Sequence, residues 1–356
     1  MRRTSALSAL FVLALAASAC GGTATTPAAT TAPAAAPVAA PAAAPVATAT
    51  PAPAPVKLRA SYGNISPANL APFLAQEAGY FKQNGLEVDL QLVEGGGKSM
   101  AALLSKNVDI ANLGGTETMS AFVGGADVEA VALFVPLSPW ALYVPASYKG
   151  PEDLRGKNLG IVTKGGSSEV ALREALKQLK LDPDKDVSIQ AIGGVPALAA
   201  AMIAGAVYGG PGHPPDTTSL TKAGFKVAVD LSKQQVPATD NGTIVLRSWA
   251  SANKDVLQRY VDSLVQAIAR AKKDKPFTVD VLKKMLSLKD DQAASDTYDF
   301  YVPGIFPMYP HTVASAFNSS KQALISTNAK VADLDVTKLL DDSFVADAER
   351  RGVATK

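Results

Sequence analysis

Five short stretches of small polar residues stand where an apolar strand pattern gives way to a helical one. They are Asn64-Ile65-Ser66, Gly95-Gly96-Gly97-Lys98-Ser99, Gly114-Gly115-Thr116, Gly165-Gly166-Ser167-Ser168 and Gly193-Gly194. Glycine lets a ligand come close to the backbone. The free N–H groups at a helix start, with the positive end of the helix dipole, favour an anion. Ser66, Ser99, Thr116, Ser167 and Ser168 add hydroxyl donors. Any one of these turns alone reads as ordinary helix capping. Their recurrence in both halves of the chain is what points to a shared ligand site, because open α/β sheets hold ligands outside the carboxyl ends of their strands.

Other chemistries find little support. Gly97-Lys98-Ser99 has the ending of a phosphate-binding P-loop, but that motif needs glycine where this chain has Leu92. The only histidines are His213 and His311 and the only cysteine is Cys20, so no intramolecular disulfide and no cysteine-based metal site is expected. There is no G-x-S-x-G elbow, and no catalytic residue, metal or cofactor is assigned. Trp140 reads as the floor of a cleft or a wedge between lobes. His213, within Gly209-Gly210-Pro211-Gly212-His213-Pro214-Pro215, reads as a loop residue in a rigid turn cluster and is kept as a candidate contact. Phe306 and Tyr309, in a proline-rich turn, read as a plug for the C-terminal helices.

The elements that must position these residues alternate between two periodicities. Leu58, Ala60 and Tyr62 alternate as a strand; Leu70, Phe73, Leu74 and Phe81 recur at helical spacing after Ser66-Pro67, a cap followed by proline. Val88, Leu90 and Leu92 form a second strand, and residues 108–111 a third. The rhythm restarts after Trp140, with a strand over 158–162, a helical face through Leu172, Ala175, Leu176 and Leu179, and strands over 187–191, 226–230 and 243–246. The rest is mainly helical. This order predicts an α/β fold of two lobes, with hinge crossings at 142–145 and 241–246 and helices at the C-terminus. Lobe 1 then comprises residues 57–142 plus 245–356, and lobe 2 residues 143–244.

The chain of 356 residues exceeds what one core usually serves. Its net charge of +2 argues against a nucleic-acid-binding surface. Arg2 and Arg3 precede an apolar run ending in Ala17-Ser18-Ala19-Cys20, the layout of a signal peptide over 1–20 with a lipobox-like end. Cys20 is the expected lipidation site, with alanine in place of the usual leucine three residues earlier. Residues 21–56 are almost wholly Ala, Pro and Thr, a disordered tether able to reach on the order of 100 Å when extended. The expected location is therefore outside the cytoplasmic membrane, lipid-anchored, periplasmic or on the cell surface.

With these residues in view, the chain resembles the nitrate, sulfonate, taurine and thiamine-pyrimidine-precursor group of ABC solute-binding proteins. The resemblance rests on PFLAQEAGYFKQNGLEVDLQLVEGGGKSMAALLSKNVDIANLGG, residues 72–115, and PEDLRGKNLGIVTKGGSSEVALREALKQL, residues 151–179. It implies a two-lobed periplasmic-binding fold of the second type, no enzymatic activity, and docking onto an ABC permease with a cytoplasmic ATPase; the expected solute is small and anionic or polar, and the expected state is a monomer. By that carry-over the cleft draws on Ser66, Gly96, Gly97, Gly115 and Thr116, and in the other lobe on Gly166, Ser167 and Ser168, with Asn64, Trp140 and His213 added from their position in the chain. A ligand-sensing lipoprotein and a pyrimidine-precursor-synthesising enzyme of the same fold are the alternatives. The chain departs from the group around Ala206-Val207-Tyr208 and His213, where ligand choice is often shaped.

Overall fold

The computed structural model describes residues 54–325 and 328–355. Cys20, the expected signal segment over 1–20 and most of the expected tether over 21–56 lie outside the described residues. From Val56 the chain alternates strand and helix as its periodicity requires: β1 (Val56–Tyr62), α1 (Leu70–Glu77), α2 (Tyr80–Gln83), β2 (Leu86–Leu92), α3 (Gly96–Leu104), β3 (Ile110–Leu113), α4 (Gly115–Val123) and β4 (Val128–Leu137). It then leaves this sheet for β5 (Ala141–Pro145), β6 (Asn158–Ile161), α5 (Ser167–Gln178), β7 (Ser188–Ala191), α6 (Val195–Ile203), β8 (Gly210–Gly212), α7 (Thr217–Lys222) and β9 (Phe225–Asp230). It returns in β10 (Pro237–Leu246) and finishes in helices α8 (Arg247–Ala252), α9 (Lys254–Lys273), α10 (Lys275–Leu286), α11 (Asp291–Gly304), α12 (Asn318–Ile325) and α13 (Ser343–Arg350).

The first sheet has the order β2-β1-β3-β10-β4, with β1 parallel to both neighbours and β10 antiparallel to β3 and β4. Covered on both faces, β4 and β10 are buried along nearly their whole length. Helix α9 packs across the sheet through Leu257, Tyr260, Val261, Leu264, Val265 and Ile268, which share one face at helical spacing. The second set of strands builds a separate core, with β5 between β8 and β9 and with β6 parallel to β7. Leu142, Leu159, Leu172, Leu176 and Leu198 fill it. Each fully buried leucine contributes roughly 1.5–3 kcal/mol of apolar transfer.

The two passages between the sheets run side by side. Ser138 N–H donates to the Val236 carbonyl at 2.9 Å, and Leu231 N–H to the Trp140 carbonyl at 3.1 Å. The passages therefore fall at 138–140 and 231–236. The segments read as crossings, 142–145 and 241–246, are instead the strands that flank them, because Leu142–Val144 and Ile244–Leu246 are apolar enough to be core. The glycine–proline cluster before His213 is likewise no turn but strand β8 against β5. A Cβ on Gly210 would come within 2.6 Å of the Gly160 carbonyl oxygen, so only glycine permits this approach of backbones. Among the described residues no helix is long and apolar enough to cross a membrane.

Candidate functional site

Trp140 sits at the end of the first passage, 4% exposed, and its indole Nε1–H donates to Asp240 Oδ1 at 2.9 Å. Asp240 stands on β10 and is itself 9% exposed. From the other sheet's side, Ser167 at the start of α5 brings its hydroxyl to the same carboxylate. Ser138, Thr239 and Ser320 complete a small cavity there with room for about one water. Burial raises the Asp240 pKa to about 6, against the opposing pull of the Trp140 and Ser167 hydrogen bonds.

His213 packs edge-on against Trp140, with ring centres 4.4 Å apart, and against Tyr301, at 5.8 Å. Its Nδ1 lies 2.8 Å from the Pro214 carbonyl, which can only accept, so the proton is assigned to Nδ1. Burial lowers its pKa to about 4, and the ring is neutral at pH 7. Tyr301 is fully buried; its hydroxyl faces Ser66 without closing a hydrogen bond of ordinary geometry. Asp216, at the start of α7, and Asp240 both lie within electrostatic reach of that hydroxyl. Burial raises Asp216 as well, to about 6.

A third acid governs the other helix starts. Glu117 lies in the first turn of α4, and its carboxylate reaches back over Gly96, the first residue of α3. A Cβ on Gly96 would collide with that carboxylate, so glycine is required there for close approach. Thr116 Oγ1–H donates to Glu117 Oε2 at 2.8 Å. Burial pushes the Glu117 pKa up, and the Asp240 charge adds to the shift.

Beyond Asp240 the gap widens into a cavity of about 470 Å³, with Val170 on the wall of both spaces. Thr116 lines it on one side and Lys164, Gly165, Glu169 and Arg173 on the other. Arg173 is held by Glu169 at 2.9 Å and Asp184 at 2.8 Å. Glu169 also accepts from the Gly165 N–H at 2.8 Å, which closes the turn read as a ligand loop.

The expected site residues thus divide. Trp140, Ser167, His213 and Ser66 gather around Asp240 and Tyr301, and Thr116 joins Gly96 beneath Glu117. Ser66 also caps its turn, accepting from the Ala68 N–H at 3.3 Å. Gly115 is packed rather than open: a Cβ there would meet Thr239, Ser320 and Phe317 at 3.0–3.2 Å. Gly166 is the N-cap residue of α5 and is buried. Ser168 turns inward to accept from the Val162 N–H at 2.9 Å, and exposed Asn64 accepts twice from Asn69 Nδ2. Exposed Gly97 faces open space. Phe306 is buried in the first core beside Tyr301, as a plug. Asp240, Asp216, Glu117 and Tyr301 escaped the sequence reading. Asp240 left a trace, a Thr-Asp-Asn run inside an otherwise apolar strand, whereas Glu117 sits where a capping-box glutamate would.

The model of the NMT1/THI5-like family matches residues 67–275, the span that builds both sheets and the start of the C-terminal helices. The chain belongs to the NMT1/THI5-like family. A curated relative, the Bacillus subtilis (strain 168) protein named "Putative binding protein YtlA", is 24% identical over 206 residues, 55% of this chain and 60% of the relative. The chain thus matches less than two thirds of that relative's length. Among solved structures, the alkanesulfonate-binding protein SsuA from Xanthomonas axonopodis pv. citri is 20% identical at a TM-score of 0.65, over 82% of this chain and 100% of that one. The periplasmic nitrate-binding protein NrtA from Synechocystis PCC 6803 is 12% identical at 0.68, over 83% and 89%. The desulfurization enzyme DSZB shares the fold at 16% identity and a TM-score of 0.59, over 83% and 99%. This family member therefore has the two-lobed fold of these binding proteins, and that fold also carries an enzyme.

Proposed function

We propose that this chain is the extracytoplasmic solute-binding component of an ABC importer. It captures a small polar solute between two lobes, one built on the first sheet and one on the second, then passes it to a membrane permease driven by a cytoplasmic ATPase. It acts as a monomer held to the membrane through a lipid on Cys20. The observation that carries this reading is the convergence of Asp240 and Tyr301, from the first sheet's side, with Ser167 and His213, from the second's, at one buried point beside paired passages. Solute-binding neighbours of this fold, one for an alkanesulfonate and one for nitrate, support it.

The desulfurization-enzyme neighbour is the observation on the side of turnover. Against it, His213 bonds a backbone carbonyl rather than a hydroxyl or thiol nucleophile. The test is a thermal-shift screen of the full chain with a solute library, followed by scattering on any hit. Binding that raises Tm, contracts the particle and leaves the solute chemically intact is expected. A hit that comes back as product would replace the importer reading with catalysis.

A further inference from the structure

Two of the helix starts that the sequence offers to an anion, those of α3 and α5, already face a carboxylate of the protein itself. Glu117 lies over the start of α3, and Asp240 faces Ser167 at the start of α5. Asp216 adds a third acid, whose side chain takes no partner from another residue. Among the described residues no lysine or arginine pairs with any of the three. Arg173 is spent on Glu169 and Asp184, and Lys164 stands exposed at the rim of the larger cavity. One buried acid, Asp240, with two half-buried ones, Glu117 and Asp216, and no basic partner leaves a cationic deficit.

Unpartnered buried atoms lie close by, one of them, Thr239 Oγ1, on a residue that walls the Asp240 cavity. Tyr301, fully buried, holds its hydroxyl without a hydrogen-bond partner within reach of both Asp240 and Asp216. Thr239 Oγ1 and Asn241 Oδ1, on either side of Asp240 along β10, are also buried and unpartnered. The amide oxygen only accepts, and the two hydroxyls accept as readily as they donate. Such a set is complete when a group bearing several N–H donors enters.

Resting on the solute-binding reading above, we propose that the solute is a small organic cation whose ammonium or amidinium group sits between Asp240 and Asp216, beside the Tyr301 hydroxyl. The cavity at Asp240 admits about one water, so the lobes open to take the solute in. The remainder of the solute then extends past Val170 into the larger cavity.

The test titrates the full chain by calorimetry and thermal shift with benzamidine, agmatine and putrescine, and with nitrate and ethanesulfonate at matched ionic strength. At least one cation is expected to raise Tm saturably, and neither anion to do so. Asp240→Asn and Asp216→Asn are each expected to weaken that cation by roughly 10- to 100-fold. Asp216 is only half-buried, so its variant keeps the test open if the first misfolds. Anions that stabilise while cations do not would overturn the cation assignment and leave the importer reading standing. Silence from both panels overturns the assignment too; a whole-metabolite extract then decides the importer reading, which falls if that extract also fails to raise Tm.

Discussion

At Asp240 the fold keeps a carboxylate where water would solvate it better. Its pKa, raised from 3.8 to about 6, means the folded state binds more protons than the unfolded one between those values. Stability from this group therefore falls as pH rises from about 4 through 6, and the cost is complete above that, about 3 kcal/mol. Asp216 acts in the same direction. His213 opposes them: with its pKa lowered from 6.5 to about 4, the folded state binds fewer protons there, and stability rises with pH across that window. Asp240→Asn keeps an oxygen acceptor for the Trp140 indole and removes the charge. Urea unfolding of the solute-free protein at about pH 7.5 should show it more stable than the parent by up to about 3 kcal/mol, the gain fading toward pH 4. A variant less stable than the parent at pH 7.5 would mean the carboxylate is structural.

Helices α3 and α4 tell how far an element can be read without knowing what faces it. Their starts, Gly96 and Gly115, were legible as glycine turns at strand ends, and the strands and helices that carry them formed where the periodicity put them. What fills those starts was not legible, because Glu117 acts through a side chain folding back across a turn. Strand β8 was missed for a related reason: Gly210 looks like turn chemistry until the neighbouring Gly160 backbone is known. The polar first half of β10, with Thr239, Asp240 and Asn241, hid a buried strand that only its final apolar residues announced. Two predictions belong to this scale. Glu117→Ala should free the α3 start, so that tens of millimolar nitrate stabilises the variant by about 1 kcal/mol and leaves the parent unmoved; equal shifts in both would place the anion elsewhere. Arg351→Ala removes a two-pronged bond to Asp262 of α9, at 2.6 and 2.8 Å. Partly shielded Asp262 would be left without that partner, and the urea midpoint should fall by about 1–3 kcal/mol equivalent with solute affinity unchanged.

For the whole molecule, two sheets, each with its own packed residues, are joined by two adjacent passages. Only Ser138 to Val236 and Leu231 to Trp140 tie the passages together by backbone bonds. Length and rhythm made the two lobes readable, while the passages were displaced because polar connectors and apolar strands abut within a few residues. The claim on which the account depends is that the solute enters at Trp140 and Asp240. The chain has two tryptophans, and Trp249 packs against the core in α8, so Trp249→Phe leaves Trp140 as the reporter. The most direct measurement is Trp140 emission in that variant during titration with whichever solute raises Tm. A saturable change in Trp140 emission, with the same Kd as calorimetry and lost in Asp240→Asn, is predicted. Unchanged emission at a solute concentration that saturates binding would place the solute elsewhere and contradict the account.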